Sequence, residues 1–448
     1  MKVVKFGGTS LANASQIKKV CDIVTSDSDR RLVVVSAPGK RFKEDIKMTD
    51  LLIALGEKYY EEGNAPDELK VVIQRYEEIV RDLGLGEEVL KTVEEDLNFK
   101  LSTDRSHREK FMDCIKAAGE DNSAKIVAKY LTTLGVDAIY VNPKDAGLLL
   151  SDECGNARIL PESYENLKKL SDKKEIMIFP GFFGYSKSGD IVTFPRGGSD
   201  ITGSILAASV DAQLYENFTD VDSVFAANPN IIDTPKPIPV FTYREMRELA
   251  YAGFSVLHEE TLEPVFRKGI PVCIKNTNNP SSCGTMITPK RESKNGPVVG
   301  IASAEGFCSI YVSKYMMNRE IGFGRKILSI IEEEGLSYEH TPSGIDDISI
   351  ILEHKQLNKE KEERVIKRIK EELQVDHISV QGGLGLVMIV GEGMMHTVGI
   401  TARATNALAK AGVNIEMINQ GSSEVSMMFG VREVDNVKAV KALYNEFF

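Results

Sequence analysis

Short β-rich runs alternate with longer, charged helical runs over about the first 290 of the 448 residues, and this alternation constrains the fold most strongly. The runs at residues 3–6, 31–36, 176–179 and 271–274 are short and apolar, as buried strands are, whereas residues 14–25 have helical spacing. Strands that alternate with helices predict crossover connections and a parallel sheet. We therefore expect an α/β domain in this part of the chain.

Residues 61–108 depart from this alternation. They are rich in Glu, Lys and Leu at helical spacing, and Gly84 and Gly86 break the pattern. We expect a helical excursion from the sheet. A charge run on such a helix is more typical of a solvated face than of a binding site.

The C-terminal part of the chain contains an internal repeat. Residues 334–337 parallel residues 411–414, and Gly344 parallels Gly421 at the same offset. Each copy predicts a ferredoxin-like βαββαβ module on a small antiparallel sheet. A polar stretch at 290–297 predicts a linker, so we expect an α/β domain at residues 1–292 and two modules at residues 298–378 and 379–448.

Composition disfavours several classes of protein. A formal net charge of −11 argues against binding to nucleic acid or anionic membrane, because such binding depends on basic patches. The sequence has no run of roughly 18 apolar residues, and residues 1–10 lack the apolar stretch of a signal peptide. The six cysteines are scattered, which is typical of reduced thiols. We expect a cytoplasmic protein without nucleic-acid or membrane partners.

Two glycine pairs indicate phosphate chemistry. Residues 5–10 (KFGGTS) follow the first expected strand and precede a helix, where backbone N–H groups favour an anion and Lys5 adds a point charge. Residues 196–200 (RGGSD) combine a second pair with groups suited to binding a carboxylate or a phosphate. The plainer interpretations are a simple turn for the first and a helix start capped by Ser199 or Asp200 for the second.

Other segments carry weaker signals. Residues 219–225 (TDVDSVF) follow an apolar run, and nucleotides bind at strand ends in parallel sheets, although a plain turn has the same pattern. Thr49 and Glu120 lie in segments that are typical of helix starts. The sequence contains no Walker loop, no protein-kinase signature, no G-x-G-x-x-G after a strand and no clustered His/Cys metal ligands.

Taken in order with residues 420–424 (QGSSE), these segments resemble the aspartate kinases of the amino acid kinase family over essentially the whole chain. The resemblance implies a sheet sandwiched by helices, followed by two ACT modules. It implies phosphorylation of the β-carboxylate of L-aspartate by ATP with Mg²⁺, the entry step to lysine, threonine and methionine synthesis. Because a carboxylate with a pKa near 3.9 is ionised at neutral pH, this reaction requires fixed cations and N–H groups rather than a general base.

The resemblance also implies roles for individual residues. Lys5, Arg196 and Asp200 would be catalytic, and magnesium would be carried by ATP without a metal site in the protein. The implied substrate-binding residues are Thr49, Glu120, Arg196, Gly198 and Ser199, and the implied ATP-binding residues are Lys5, Gly7, Gly8, Ser10, Thr219, Asp220, Phe225 and Asn230.

The chain departs from the usual family pattern mainly on the nucleotide side. Pro195 replaces a common Gly, Phe225 replaces a Tyr, and Asn228 and Asn230 replace an Asp and an Arg. Ser255 stands where a Lys is common. These changes remove two cations and a hydroxyl that often face ATP.

The two C-terminal modules resemble ACT domains, which pair across subunits and bind amino acids between their strands and helices. The resemblance implies a homodimer or a tetramer, with L-lysine as the first choice of effector and threonine as the other candidate. The alternative is that the modules only dimerise the enzyme. The implied effector-binding residues are Met317, Gly322, Phe323, Gly324, Ser337, Glu339 and Asp346.

Two other classes of function stay open at this point. One is another amino acid kinase, acting on N-acetylglutamate, glutamate or a nucleoside monophosphate, although such relatives commonly lack twin effector modules. The other is a non-catalytic amino-acid sensor, which would have no need of the phosphate-holding Lys5. We expect no fused homoserine dehydrogenase, since the chain ends directly after the second module.

Overall fold

The computed structural model describes residues 1–254, 259–291 and 296–448. Half of the predicted linker (residues 292–295) and the position of Ser255 therefore lie outside the described residues. The chain divides into two compact units. The first comprises Met1–Val224, Pro237–Met246 and Ser255–Arg291, and the second comprises Phe225–Lys236, Arg247–Phe254 and Glu292–Phe448.

The first unit is built on an eight-stranded sheet of order β3-β4-β2-β1-β7-β9-β10-β8, with β5 and β6 forming a separate hairpin. The strands from β3 to β9 in that order are parallel, and β10 runs antiparallel to β9. The strands are β1 (Lys2–Phe6), β2 (Arg30–Val35), β3 (Ala138–Tyr140), β4 (Ile176–Pro180), β5 (Phe183–Tyr185), β6 (Ile191–Thr193), β7 (Leu214–Thr219), β8 (Val240–Thr242), β9 (Val272–Asn276) and β10 (Thr285–Thr288).

Helices cover both faces of this sheet, which explains why its central strands are continuous apolar runs. Val4 and Phe6 of β1 belong to a core shared with α1 and α5, whereas α8 packs on β1 from the other face. The helices are α1 (Ala14–Thr25), α2 (Met48–Glu62), α3 (Pro66–Asp82), α4 (Glu87–Leu101), α5 (Arg108–Thr133), α6 (Pro143–Ala146), α7 (Glu162–Lys168), α8 (Gly198–Ser209), α9 (Tyr243–Tyr251) and α10 (Glu263–Lys268).

The expected α/β organisation is confirmed, and α3 and α4 lie within residues 61–108. Two local predictions are wrong. The cap of α8 is Gly197 in the left-handed conformation (φ +83°), so Ser199 and Asp200 lie inside the first turn. Glu120 lies in the middle of α5 rather than at a helix start, because this helix already begins at Arg108.

The second unit contains an antiparallel five-stranded sheet of order β12-β11-β13-β15-β14, which is the sheet type expected of ferredoxin-like modules. Two separate apolar cores lie against it, one involving α11 and α12 and one involving α13 and α14. The elements are β11 (Gly300–Ser313), α11 (Phe323–Glu333), β12 (Asp347–Glu353), α12 (Lys359–Leu373), β13 (His377–Val390), α13 (Ile400–Lys410), β14 (Met417–Asn419), β15 (Ser426–Arg432) and α14 (Asn436–Phe447).

Both cores share the long strands β11 and β13. The pairing changes register between Ala304 and Phe307, and β12 pairs only with the part of β11 from Phe307 onward. The first part of β11 instead pairs with the half of β13 that continues into α13. The first part of β11 thus belongs to the sheet of the second copy, although it precedes the whole first copy in the sequence. The module boundaries at residues 298, 378 and 379 stay predictions.

The internal repeat is visible in the backbone. Gly322 and Gly399 precede α11 and α13, and both adopt left-handed conformations (φ +78° and +94°). Each of these glycines follows a pair of methionines, Met316 and Met317 in the first copy and Met394 and Met395 in the second. No helix in the described part of the chain is long and apolar enough to cross a membrane.

Candidate active site

The segments singled out from the sequence meet at the carboxyl edge of the parallel sheet. Gly7 directly follows β1, Gly181 directly follows β4, Thr219 ends β7 and Thr277 directly follows β9. In open parallel sheets ligands bind beyond the carboxyl ends of the strands. The loops after these strands therefore define a candidate active site in the first unit.

Lys5 and Asp200 form an ion pair at this edge. Alternation along β1 points Lys5 to the face that α8 covers, and its Nζ lies 2.6 Å from Oδ1 of Asp200 in the first turn of that helix. The two side chains are 8% and 17% exposed, so water screens the pair little. The ammonium therefore has a fixed position rather than a range of rotamers.

Asn217 is a third member of this group that sequence reasoning missed. Its Nδ2 donates to the same Asp200 oxygen at 2.6 Å, and it pairs with Lys5 in the register of β1 and β7. An amide inside a buried parallel strand is the signal that was available, since such strands are otherwise apolar. Asn217 helps to hold the carboxylate that holds Lys5.

The first glycine pair brings the backbone close to both Lys5 and a neighbouring loop. A Cβ on Gly7 would lie 3.7 Å from Nζ of Lys5, so bare backbone borders the ammonium. A Cβ on Gly8 would lie 3.0 Å from the carbonyl oxygen of Ala37, in the loop after β2. A backbone N–H beside a buried cation suits a phosphate group, and the two glycines leave room for one because neither carries a side chain.

Ser10 is tied to the loop after β9. Its hydroxyl lies 2.7 Å from that of Thr277, both groups being buried. The N–H of Thr277 in turn donates to the carbonyl oxygen of Thr219 at 2.9 Å. The KFGGTS segment is therefore fixed to the strand ends on which the nucleotide residues were predicted.

Glu120 has a buried carboxyl group that lacks a full set of partners. The residue is 5% exposed, and Oε2 has no hydrogen-bond partner. Burial raises the pKa of Glu120 to about 8, although a backbone hydrogen bond from Ala37 acts in the opposite direction. A buried acceptor without a donor is costly, and a cationic ligand would satisfy it. Glu120 is thus suited to bind an ammonium group.

The RGGSD segment packs tightly against the loop after β4. A Cβ on Gly198 would come within 2.7 Å of the Phe182 ring, and one on Gly181 would come within 2.7 Å of Ser199. Arg196, by contrast, is exposed and forms no ion pair with a described residue. Its guanidinium is free to bind an anionic group of a ligand.

Thr49 lies near the start of α2 and is partly buried. The N–H of Met48 donates to the carbonyl oxygen of Pro38 at 2.9 Å, which connects this helix start to the loop after β2. The same loop contacts Gly8 and Glu120, so Thr49 belongs to the neighbourhood of the site.

The predicted nucleotide-binding residues are divided between the two compact units. The Thr219 hydroxyl donates to Asp220 at 3.1 Å at the end of β7. Phe225 and Asn230 belong to the second compact unit, and Asn230 is exposed in a turn closed by its N–H and the Asn228 side chain. Their role toward ATP stays a prediction.

No group of three or more His, Cys, Asp or Glu side chains among the described residues could hold a metal ion. Lys5 and the N–H of Gly8 offer donors to a phosphate, whereas the N–H of Gly7 donates to the carbonyl oxygen of Phe218 at 3.1 Å. Magnesium commonly binds through substrate phosphates and water.

Comparison with known proteins agrees with this geometry. Residues 1–276 match the amino acid kinase family, and residues 387–447 match the ACT domain. The chain is 60% identical to Aspartokinase 3 of Bacillus subtilis (strain 168) over 448 residues, which cover all of this chain and 99% of that protein. The chain belongs to the aspartokinases of the amino acid kinase family. It is therefore a kinase with a C-terminal ACT region.

Solved structures of aspartokinases have the same fold. The aspartate kinase of Clostridium acetobutylicum superposes with a TM-score of 0.88 at 41% identity, covering 100% of both chains. E. coli aspartokinase III in complex with aspartate and ADP superposes with a TM-score of 0.79 at 24% identity, covering 100% of this chain and 99% of that one. This second likeness concerns the fold alone.

In this aspartokinase, the predicted effector residues fall into two groups. Asp346 accepts a hydrogen bond from the N–H of Met316 at 2.8 Å, directly before the single turn Met317–Arg319 that leads to α11. This turn and the start of α11 carry Met317, Gly322, Phe323 and Gly324.

Ser337 and Glu339 form the second group. The N–H of Glu339 donates to the carbonyl oxygen of Ile351 at 2.7 Å, whereas Asp346 directly precedes β12. Five residues of extended chain separate these points, or about 16 Å at about 3.3 Å per residue. Glu339 and Asp346 of one copy therefore lie at different points along this strand.

Proposed function

We propose that this aspartokinase transfers the γ-phosphoryl group of ATP to the β-carboxylate of L-aspartate, giving 4-phospho-L-aspartate and ADP. The observation that carries the proposal is the buried Lys5–Asp200–Asn217 group beside Gly7 and Gly8 at the carboxyl edge of the sheet. Family membership supports the same reaction and the same acceptor.

The chemistry requires little beyond charge and position. The β-carboxylate of aspartate is already ionised at neutral pH, so it attacks phosphorus without a general base. Two anions must nevertheless approach in line, and negative charge on the moving phosphoryl oxygens must be stabilised. The fixed Lys5 ammonium and the N–H groups of the glycine segment supply that stabilisation without reorganising during the reaction.

The substrate groups have separate partners in this proposal. The buried Glu120 carboxylate pairs with the aspartate ammonium, and the exposed Arg196 guanidinium takes the α-carboxylate in a bidentate contact. Thr49, Gly198 and Ser199 border the substrate. Asp200 keeps Lys5 aimed at the phosphoryl group. Magnesium, when bound to the ATP phosphates, would neutralise part of their charge.

We further propose that the ACT region binds L-lysine as a feedback inhibitor. The separation of Glu339 and Asp346 within one copy favours a site that two copies complete, and this supports a homodimer formed through the ACT modules. An effector of this kind must bind two conformations unequally.

We place the enzyme in the cytoplasm, because all six cysteines carry free thiols.

The purified enzyme with MgATP and candidate acceptors provides the test. L-aspartate should release ADP, and hydroxylamine should trap the acyl phosphate as a hydroxamate. N-acetylglutamate, glutamate and UMP serve as competing acceptors, and turnover of one of these without turnover of aspartate would overturn the proposal. Lysine, threonine and methionine, added singly and in pairs, identify the effector. Unchanged rates with lysine would reject our choice.

A further inference from the structure

The charged residues of the helical excursion include a buried arginine. Arg75 of α3 is only 4% exposed, although the surrounding charge run is typical of a solvated face. A buried guanidinium is retained only with close partners, because its desolvation is costly. The partners of Arg75 therefore show what this excursion does.

Arg75 makes two directed hydrogen bonds to the loop after β2. Its Nη1 donates to Oδ2 of Asp45 at 2.8 Å, and its Nη2 donates to the carbonyl oxygen of Gly39 at 2.6 Å. Asp45 also accepts hydrogen bonds from the N–H and the guanidinium of Arg41, at 2.9 to 3.0 Å. Arg41 in turn contacts Glu78 of α3 at 2.6 Å. The loop is thus fastened to α3 at two points.

Gly39 of this loop also contacts the KFGGTS segment directly. The N–H of Gly39 donates to the carbonyl oxygen of Gly8 at 2.7 Å. A Cβ on Gly39 would lie only 2.5 Å from the carbonyl carbon of Gly8, so the two backbones are in direct contact. A shift of Gly39 would therefore be felt at Gly8.

We propose that Arg75 is a positioning residue for phosphoryl transfer, which acts by holding Gly39 against Gly8. The helical excursion is then part of the support of the active site. The inference rests on the proposed function of the Gly7–Gly8 segment and deepens it. A guanidinium fork is required, because its two nitrogens reach a carboxylate and a carbonyl at once, which a lysine ammonium does not do with the same geometry.

The test compares four variants with the full-length wild-type enzyme. R75M removes both hydrogen bonds while keeping an unbranched apolar stem, and R75K keeps one cation. R81M makes the same substitution on the same helix, where Arg81 is exposed and its ion pair within the described part of the chain is with the adjacent Asp82. G39A leaves Arg75 intact but disturbs the contact with Gly8 directly. For each variant, kcat, the KM values for MgATP and aspartate, and the thermal midpoint are measured.

We expect R75M to lower kcat by about 10- to 100-fold, the size of effect that a displacement of about 1 Å produces in a reacting geometry. G39A should reproduce this loss, R75K should recover part of it, and R81M should match wild type. The KM for aspartate should change less than kcat, because the hydrogen bonds of Arg75 go to Asp45 and Gly39 and not to Glu120 or Arg196.

Two outcomes would overturn the inference. One is a folded R75M enzyme whose kcat equals that of R81M. The other is a lower kcat in R75M that G39A does not share, whether or not R75K also has a lower kcat. That result would mean that Arg75 acts through stability alone. Should R75M fail to fold, R75K and G39A decide between the same alternatives. A wild-type enzyme that does not phosphorylate aspartate would instead refute the proposed function.

Discussion

The ionisation of Glu120 leads to a quantitative prediction for substrate binding. Its carboxyl group is buried with one oxygen unpaired, and burial raises its pKa to about 8. In the empty site at pH 7, the group is therefore protonated in roughly nine molecules of ten. An ammonium ligand requires the carboxylate form, so aspartate must displace this proton when it binds.

The expected magnitude follows from the same pKa. At pH 7, ionising Glu120 costs about 1.4 kcal/mol, since the pH is one unit below the pKa. Binding of aspartate should release roughly 0.9 proton at pH 7, and the Kd should fall by roughly eightfold between pH 7 and pH 8.5 as the ionised fraction grows. An E120Q variant keeps the shape of the side chain but has no proton to lose.

Isothermal titration calorimetry measures this release directly. The binding enthalpy of aspartate at pH 7 should depend on the ionisation enthalpy of the buffer for wild type, and the dependence should be small at pH 9. E120Q should bind weakly, with no proton release from this position. A wild-type enthalpy that is identical in phosphate and Tris at pH 7, together with a Kd that does not change with pH, would refute the reasoning.

The same pKa also links Glu120 to stability. The folded-state pKa lies above the usual value of 4.5, so the protonated carboxyl group stabilises the folded state below about pH 4.5. This contribution is lost as the pH rises through about 8. The thermal midpoint of E120Q minus that of wild type, both measured without aspartate, should therefore increase as the pH is raised from 5 to 9.

Three further substitutions test other parts of the account. K5A should lower kcat by at least about 100-fold while leaving aspartate binding by calorimetry largely intact, because the ammonium acts on the phosphoryl group. N217L should remove one of the two donors to Asp200 and lower kcat by about 10-fold, with its thermal midpoint reported alongside. R30M should destabilise the first unit by about 3–5 kcal/mol in chemical denaturation, because it leaves Glu216 buried without the guanidinium that binds it at 2.6 and 3.0 Å; an unchanged midpoint would contradict this.

The local sequence pattern was sufficient to predict the parallel sheet and the positions of the glycine segments. Apolar runs separated by helical spacing predicted β1, β2 and α1 to within a residue or two, since both faces of these strands are covered. The placement of Lys5 followed from its position in β1. Its partner Asp200 came from the family resemblance, because nothing local connects residues 195 positions apart.

Features that depend on tertiary contacts could not be predicted in this way. Arg75 looks like one more charge on a solvated helix, and only the structure shows that it reaches Gly39. Glu120 has no local sign of its burial, because α5 carries small and polar residues all around it. The sharing of β11 between two cores was also hidden, since a strand that completes a distant sheet carries no mark of its partner.

The central claim is that aspartate is phosphorylated at the site containing Lys5, and product analysis tests it most directly. Wild-type enzyme and K5A are incubated with MgATP, L-aspartate and hydroxylamine, and the ADP and aspartyl hydroxamate formed are both quantified by mass spectrometry. We predict equal amounts of the two products with wild type and neither above background with K5A. ADP without hydroxamate, or undiminished hydroxamate from K5A, would contradict the account.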